Sequence, residues 1–411
     1  MQPHPQTSSD PLLLSSQLKD DALRDHIPWW ADLGPGVCAE LEVPDGSEPL
    51  EQSLDVVVIG GGVAGLSAAL GARRAGARVL LLERNAWLGY GATGRNAGIL
   101  SAGINMNLAH LPPGGPEAAF WPETTRVLLS LVDEAARPGA LLSARLTGAI
   151  SLAESARAAR NLAQEARARV NVGLRAEVWT AAQVAEATGG RLNTHGVVAA
   201  LWLPDEGRIQ PLTLLAHLAR QARAAGVIIR GRAHMERYQE VYQDGAGHHW
   251  KLTLAGGAVV RTRGLISAVG PVVQANARIY AQAFSADLPD DFPLFWDASP
   301  YTYADFRPGN GRLTVSGGRY GKAGVTRRDA VYHARLATAA RRWLPELADK
   351  QPAYAWAVDL AVAADMVPRL RDTGEVAPGV AIEGLGALGV LPGVILGQRA
   401  GALVAEKIGK A

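Results

Sequence analysis

Gly60-Gly61-Gly62-Val63-Ala64-Gly65 sets glycine at the first, third and sixth positions of a G-x-G-x-x-G run. That spacing suits a nucleotide pyrophosphate. Gly60 allows a tight turn, Gly62 removes the Cβ that would block the phosphates, and Gly65 lets a helix approach its strand closely. The N–H groups at the helix start, at Val63 and Ala64, then point at the anion, aided by a dipole of about half a charge. Glu83 follows with Arg84 beside it, where a carboxylate accepts both ribose hydroxyls. An acidic group there disfavours a 2′-phosphate, which sets NADP aside. The glycine motif by itself does not separate FAD from NAD. A second stretch, Gly89-Tyr90-Gly91-Ala92-Thr93-Gly94-Arg95-Asn96-Ala97-Gly98, holds small and polar residues suited to closing around an extended cofactor.

The elements that must position these residues read clearly. Leu54 to Ile59 is a β-branched apolar run, as expected of a strand buried on both faces. A helix follows from about Val63 to Ala75, stopped by Gly76. Val79 to Leu82 is the next strand and ends on Glu83. Pro211 opens a helix with Leu212, Leu215, Leu218, Ala219 and Ala222 on one face, closed by Gly226 before the strand Val227 to Ile229. Leu265 to Val269 reads as a buried strand ending on Gly270. Thr180 and Gln183 have capping-box spacing. Aromatic and β-branched residues alternate with turn signals between Phe292 and Ser316, as in antiparallel strands. The stretches 125–190 and 326–345 read as helix-rich. Gly386, Gly389 and Gly393 precede a last helix from about Val394 to Lys407.

The expected fold class is therefore α/β: a Rossmann-like dinucleotide-binding domain assembled from separated segments, plus a substrate domain with a mixed or antiparallel sheet. The expected boundaries give residues 1–52 to an N-terminal extension, pinned where Trp29 and Trp30 bury. Residues 53–110, most of 201–285, and 363–411 go to the cofactor domain. Residues 111–200 and 286–362 go to the substrate domain.

Composition narrows the class. The chain has 411 residues, 48% hydrophobic and 19% charged, which is globular. A net charge of +2 argues against a nucleic-acid partner. One cysteine, Cys38, excludes an intrachain disulfide and a Cys-rich metal site, and no metal is expected. No secretory signal is visible, and Gly384 to Gln398 is too short and glycine-rich to span a membrane, so the expected location is cytoplasmic. Arg157, Arg160, Arg167 and Arg169, with Glu154 and Glu165, read as a solvated helix face. His195, His217 and His234 have no metal-ligand spacing, and His248-His249 reads as an exposed turn. No nucleophile-elbow pattern supports hydrolysis.

Taken in order, these motifs resemble the D-amino-acid-oxidase-type FAD-dependent oxidoreductases, the superfamily of glycine oxidase, sarcosine oxidase and γ-glutamylputrescine oxidase. The resemblance runs through Asp55 to Glu83, Gly91 to Gly98, Asp205 to Gly226, Ser267 to Gly270, Tyr301 to Arg319 and Asp365 to Glu406. It implies FAD as cofactor, with the Gly91 to Gly98 loop along the flavin. It also implies that the last helix start, around Gly389, Gly393 and Val394, faces the pyrimidine ring. Leu391-Pro392-Gly393 stands where the family has Gly-His-Gly, and Ser101 and Ile395 stand near places where sarcosine-oxidase-like members carry basic residues. Members that attach flavin through histidine place it in the first loop, where this chain has Asn96; dissociable FAD is expected.

The implied reaction is oxidation of a C–N bond in a small amine or amino acid, with oxygen or another acceptor taking the electrons. Tyr301 and Tyr303, two apart on a strand, share a face, and the resemblance sets that strand by the substrate cavity. Either tyrosine suits a cavity wall or hydrogen-bond donor, or simple sheet packing. Arg319 suits a carboxylate, the flavin ring or a structural ion pair. Lys322 suits either promotion of the oxygen reaction or a solvated loop. The Arg95-Asn96 loop, Gly311 to Leu313 and Trp29-Trp30 point toward the γ-glutamylputrescine oxidase branch. Three rivals remain: oxidation of a hydroxy acid or glycerol phosphate on the same fold, an NAD-using dehydrogenase, and a FAD-binding but catalytically silent partner subunit.

Overall fold

The computed structural model describes residues 26–44, 54–243, 247–269, 275–297 and 304–410. Gly270, Tyr301 and Tyr303 lie outside the described residues, as does the side chain of Arg319.

The strand Leu54–Ile59 lies inside a sheet, parallel to Val79–Leu82 on one side and to Val259–Ser267 on the other. Ile228–Arg230 continues the parallel set beyond Val79–Leu82, and Gly379–Glu383 continues it beyond Val259–Ser267. Strands covered on both faces require apolar residues at successive positions, and period-two alternation sorts those residues. Val56, Val58, Val79 and Leu81 join one core, and Val57, Ile59, Leu80 and Leu82 join another. Helices Val63–Arg74, Pro211–Ala224 and Val390–Lys410 supply the first core. An antiparallel layer, with strands Met235–Gln243 and Gly247–Leu254, supplies the second.

The terminal helix begins at Val390, earlier than the expected start near Val394. Pro392 does not prevent this, because a first-turn N–H has no helical acceptor and proline's fixed φ suits the position. The first helical bond runs from Gly393 N–H to Gly389 C=O at 3.0 Å. This helix lies against Val63–Arg74 with almost no space between backbones. A Cβ on Gly397 would collide with the carbonyl of Ala64, and one on Gly401 with Ala68 and Ala72.

A second sheet has the order Tyr354–Leu360, Ala277–Ser285, Arg312–Lys322, Ala304–Gly309, Leu294–Asp297, Ala149–Ala153, Ala199–Leu203 and Glu177–Trp179. The segment after Phe292 pairs antiparallel as its alternation implies. One face packs on helix Asp329–Trp343 through Phe284, Phe295, Phe306 and Trp343, with Phe295 and Phe306 stacked at 4.4 Å. The other face sends Ala281, Ala283 and Trp356 into the core of the first sheet. The stretch 125–190 is less helical than expected, because strands Ala144–Leu146, Ala149–Ala153 and Glu177–Trp179 alternate with its helices. Runs of three to five apolar residues carry no distinguishing period, so Ala149–Ala153 reads as helix or strand equally well. The Thr180–Gln183 capping box is formed.

Two surface expectations are corrected. Arg169 is buried, paired with Glu165 and Glu206, each at 2.9 Å. Its neighbours Arg157, Arg160 and Arg167 are exposed, so one helix face is solvated and the other carries an internal charge network. His249 is buried and only His248 is exposed, since a strand rather than a turn carries both.

The helix crossing gives a direct test. Gly401→Val should destabilise the fold by about 3 kcal/mol, the scale of forced overpacking, because backbone rather than a movable side chain stands in the way. Urea unfolding of wild type and variant measures this; equal stability would show that the two helices separate readily.

Candidate functional site

Gly60 adopts φ +106°, a conformation L side chains rarely adopt, and this bends the chain from strand into helix. Gly65 then lies against the Gly60 carbonyl, leaving no room for a side chain. Gly62 caps the helix; a Cβ there would meet only the Thr93 hydroxyl, at 3.1 Å. The N–H groups of Val63, Ala64 and Gly65 have no acceptor four residues back within the helix. The Val63 N–H reaches Thr93 Oγ1 at 3.3 Å. Helix start and second glycine loop therefore face each other at close range, with Gly62 adding no side chain between them.

Glu83 is buried at the end of its strand. Its Oε2 accepts from Gly61 N–H at 2.8 Å; its Oε1 accepts from Asn85 N–H at 2.9 Å and from Asn85 Nδ2 at 2.8 Å. A carboxylate offers about four acceptor positions and three are taken, so capacity for one ribose hydroxyl remains. Asn85 is a missed residue of the site. Arg84 is exposed and turned to solvent.

The second loop is a short 3₁₀ turn, Ala92–Arg95, closed by Asn96. Asn96 Nδ2 donates to the Thr93 carbonyl, and its Oδ1 accepts from Gly98 N–H. Gly91 and Ala92 are exposed at the entrance, Ala97 is half-buried, and Gly98 is buried with φ +74°. Arg95 lies over the Tyr90 ring at 5.1 Å, and burial lowers its guanidinium from the usual value.

Three parts of the chain brace this loop. Trp29 Nε1 donates to the Asn96 carbonyl at 2.7 Å, and Trp30 Nε1 to the Gly94 carbonyl at 3.2 Å. Trp356, from the second sheet, donates to the Arg95 carbonyl at 2.7 Å. Arg307 stacks over Trp29 at 4.6 Å and donates to the carbonyls of Gly98 and Ile209, both at 3.3 Å. Burial and the nearby Arg208 push the Arg307 guanidinium down to about 9. The burial expected of Trp29 and Trp30 is observed, but their task of holding the loop had no signal in the sequence.

Gly389 opens the terminal helix and Gly393 sits within its first turn, against Val63. Val394 is buried behind them. Asn105 also was missed: it donates to the Leu385 carbonyl at 3.1 Å and accepts from Leu388 N–H at 2.9 Å, fixing the glycine turn before that helix. Beyond the loop, Glu206 accepts from Ala102 N–H and pairs with Arg169, while Glu165 accepts from Ala109 N–H. Burial pushes the Glu206 carboxyl up, against the pull of Arg169.

Lys322 lies exposed at the end of strand Arg312–Lys322. On the adjacent strand Ala304–Gly309, Asp305 and Arg307 share a face, opposite to that of Phe306. Burial, then the charge of Asp297, pushes the Asp305 carboxyl up to about 7. Among the described residues no three His, Cys, Asp or Glu side chains gather as a metal site requires. No helix there is long and apolar enough to cross a membrane.

These features define an α/β protein in which a glycine-rich helix start, a braced second loop and a terminal helix come together. The sequence matches the model of the DAO family, described as FAD dependent oxidoreductase, over residues 55–403. The chain belongs to that family, and its cofactor is FAD. The fold is similar to glycine oxidase from Geobacillus kaustophilus: 20% identity, TM-score 0.71, 87% of this chain and 95% of that one covered. It is similar also to iminodiacetate oxidase from Chelativorans sp., at 19% identity and TM-score 0.68, covering 85% and 95%. A third similar structure is L-α-glycerophosphate oxidase from Mycoplasma pneumoniae with FAD bound, at 14% identity and TM-score 0.68, covering 86% and 95%. A local match, 41% identical over 56 residues, links the chain to glycerol 3-phosphate oxidase of Mycoplasma genitalium; it spans 14% of this chain and 15% of that protein.

The cradle fits FAD: Gly62 leaves the helix start open to a pyrophosphate, and Glu83 retains acceptor capacity for a ribose. Trp29→Phe keeps an aromatic side chain but deletes the bond to Asn96, so FAD binding to apoprotein should weaken about fivefold, equivalent to ~1 kcal/mol. Flavin fluorescence titration reads this, and unchanged affinity would mean that the tryptophan does not brace the loop.

A pH effect follows from Asp305. Its folded value near 7 lies above an unfolded value near 3.9, so the folded state binds more protons between the two, and stability contributed by this group falls as pH rises. Asp305→Asn removes that loss. Its stability advantage over wild type should be absent below pH about 4, grow to on the order of 4 kcal/mol by pH about 7, and stay level above. Urea unfolding across that range measures it; a pH-independent difference would contradict the assignment.

Proposed function

We propose that this protein uses FAD to oxidise the C–N bond of a small amine or amino acid. The observation that carries this reading is the state of Arg307, the cation that reaches the second glycine loop from the second sheet. Arg307 is buried, stacked on Trp29 and committed to two backbone carbonyls, so it is not free to bind a phosphate ester. The similarity in fold to glycine oxidase and iminodiacetate oxidase, proteins named for C–N substrates, supports the same reading.

When bound, FAD supplies a two-electron acceptor for a hydride from the substrate carbon. The chain's own residues do the positioning. The helix start at Val63, Ala64 and Gly65 would hold the pyrophosphate, Glu83 would hold the ribose, and the Ala92–Arg95 turn would flank the cofactor. The terminal helix, entering at Gly389 and Gly393, adds a positive helix end where negative charge develops. The substrate nitrogen donates its lone pair to form C=N as the carbon loses its hydride. Water then adds, giving a carbonyl compound and ammonia or a smaller amine, and the electrons pass to oxygen or another acceptor. Tyr301, Tyr303, Arg319 and Lys322 are proposed contacts of the substrate side. The Gly89–Gly98 loop has neither histidine nor cysteine, which supports dissociable FAD.

The local match to a glycerol 3-phosphate oxidase favours C–O oxidation as a second reading. Anaerobic mixing with amines, amino acids, hydroxy acids and glycerol 3-phosphate separates the two. Bleaching of the flavin absorbance by an amine or amino acid, and not by the alcohols, is expected. Bleaching by glycerol 3-phosphate or a hydroxy acid alone would overturn the reading.

A further inference from the structure

The face of the second sheet that carries Arg307 also carries a carboxylate to which no described residue is bonded. Asp305 stands two residues from Arg307 on one strand, hence roughly 7 Å along it. Directly opposite it are Trp296 on one neighbouring strand and Ser316 on the other, so their side chains share its face. Trp296 in turn pairs with Ser151. The row Ser316, Asp305, Trp296, Ser151 thus crosses four strands on the side where Arg307 touches Gly98 of the cofactor loop. Phe306, between Asp305 and Arg307, points away into the opposite core.

Asp305 is partly covered, and among the described residues no hydrogen bond or ion pair reaches its carboxylate, whose charge is felt by Tyr320. A carboxylate in such surroundings is costly without a cation or donors, so structural carboxylates in protein interiors are normally paired. The other buried acids here follow that rule: Glu83, Glu165 and Glu206 each hold backbone N–H groups or arginine. Burial raises the Asp305 carboxyl accordingly, leaving a proton acceptor titrating near neutral pH.

We propose that Asp305 recognises a positively charged ammonium group of the substrate, which makes the protein selective for alkylamines over phosphate esters and hydroxy acids. The assignment deepens the C–N reading and shares its site, but charge recognition is separable from the reaction. A substrate ammonium would supply an ion pair, with Ser316 and Trp296 beside it in the row, and would pass one proton to Asp305 to free the lone pair that forms C=N. Anionic substrates would meet an unpaired negative charge instead.

The test uses FAD-loaded protein and tetramethylammonium, which carries the charge but no lone pair to form C=N. Wild type should bind it, read as a perturbation of the flavin spectrum, and compete it against n-butylamine. Asp305→Asn should weaken tetramethylammonium binding about thirtyfold, the low end for losing one partner of a buried charge pair. The same variant should raise KM for an oxidised alkylamine much more than it lowers kcat, and Asp305→Glu should restore part of the affinity. Because no described residue pairs with Asp305, Asp305→Asn should melt no lower than wild type at pH 8. Equal tetramethylammonium affinity in wild type and Asp305→Asn overturns the proposal, as does a lower melting temperature with unchanged KM. Asp305-dependent binding by a protein that no amine reduces would uphold Asp305 as a cation site while removing the C–N reading. Amine oxidation indifferent to Asp305→Asn would do the reverse.

Discussion

The helix Val63–Arg74 is held on two sides by contacts that admit no side chain, and the cofactor site depends on that confinement. Gly65 lets it press on the turn at Gly60, and Gly397 and Gly401 let the terminal helix press on its opposite flank. A helix fixed this closely cannot tilt, so the N–H groups at its start keep one direction. Direction matters because an anion at a helix terminus is held by aligned donors whose effect fades within a turn. The terminal helix gains its own placement from the same contact, with Gly393 against Val63. One close crossing therefore sets two helix starts, those proposed to face the pyrophosphate and the far end of the cofactor.

Around this rigid centre the second loop is held by distant tethers. Its own turn, closed by Asn96, is small and would be loosely defined alone. Tryptophans from positions 29, 30 and 356 each donate to one of its carbonyls, so both the N-terminal segment and the second sheet contribute to the cofactor site. Indole N–H groups suit this task, since a buried aromatic body supplies the packing while its single donor fixes the backbone. The network Glu165–Arg169–Glu206 does the same for residues 102 and 109 by charge-assisted bonds.

What the sequence made legible was local. Strand, glycines, helix, strand and Glu83 lie within thirty residues (54–83), and each is dictated by backbone demands that few residue types meet. The capping box at Thr180 and the helix from Pro211 are legible for the same reason. The rest depends on partners far away in the chain. Arg169 resembles its exposed neighbours until Glu206 is brought beside it, and Asn105 is an ordinary polar residue until the turn at Leu385 reaches it. Asp305 lies between residues that read as sheet, and only the pairing of its strand shows which side it faces. The early start of the terminal helix was hidden by Pro392, which reads as a boundary but is tolerated inside a first turn.

The central claim is that these two helix starts and the braced loop hold one FAD. Purified protein precipitated with acid, with the chromophore in the supernatant identified and quantified, tests it most directly. One FAD released per chain is the expected result. Absence of flavin, with no uptake of added FAD and retention of NAD instead, would contradict it.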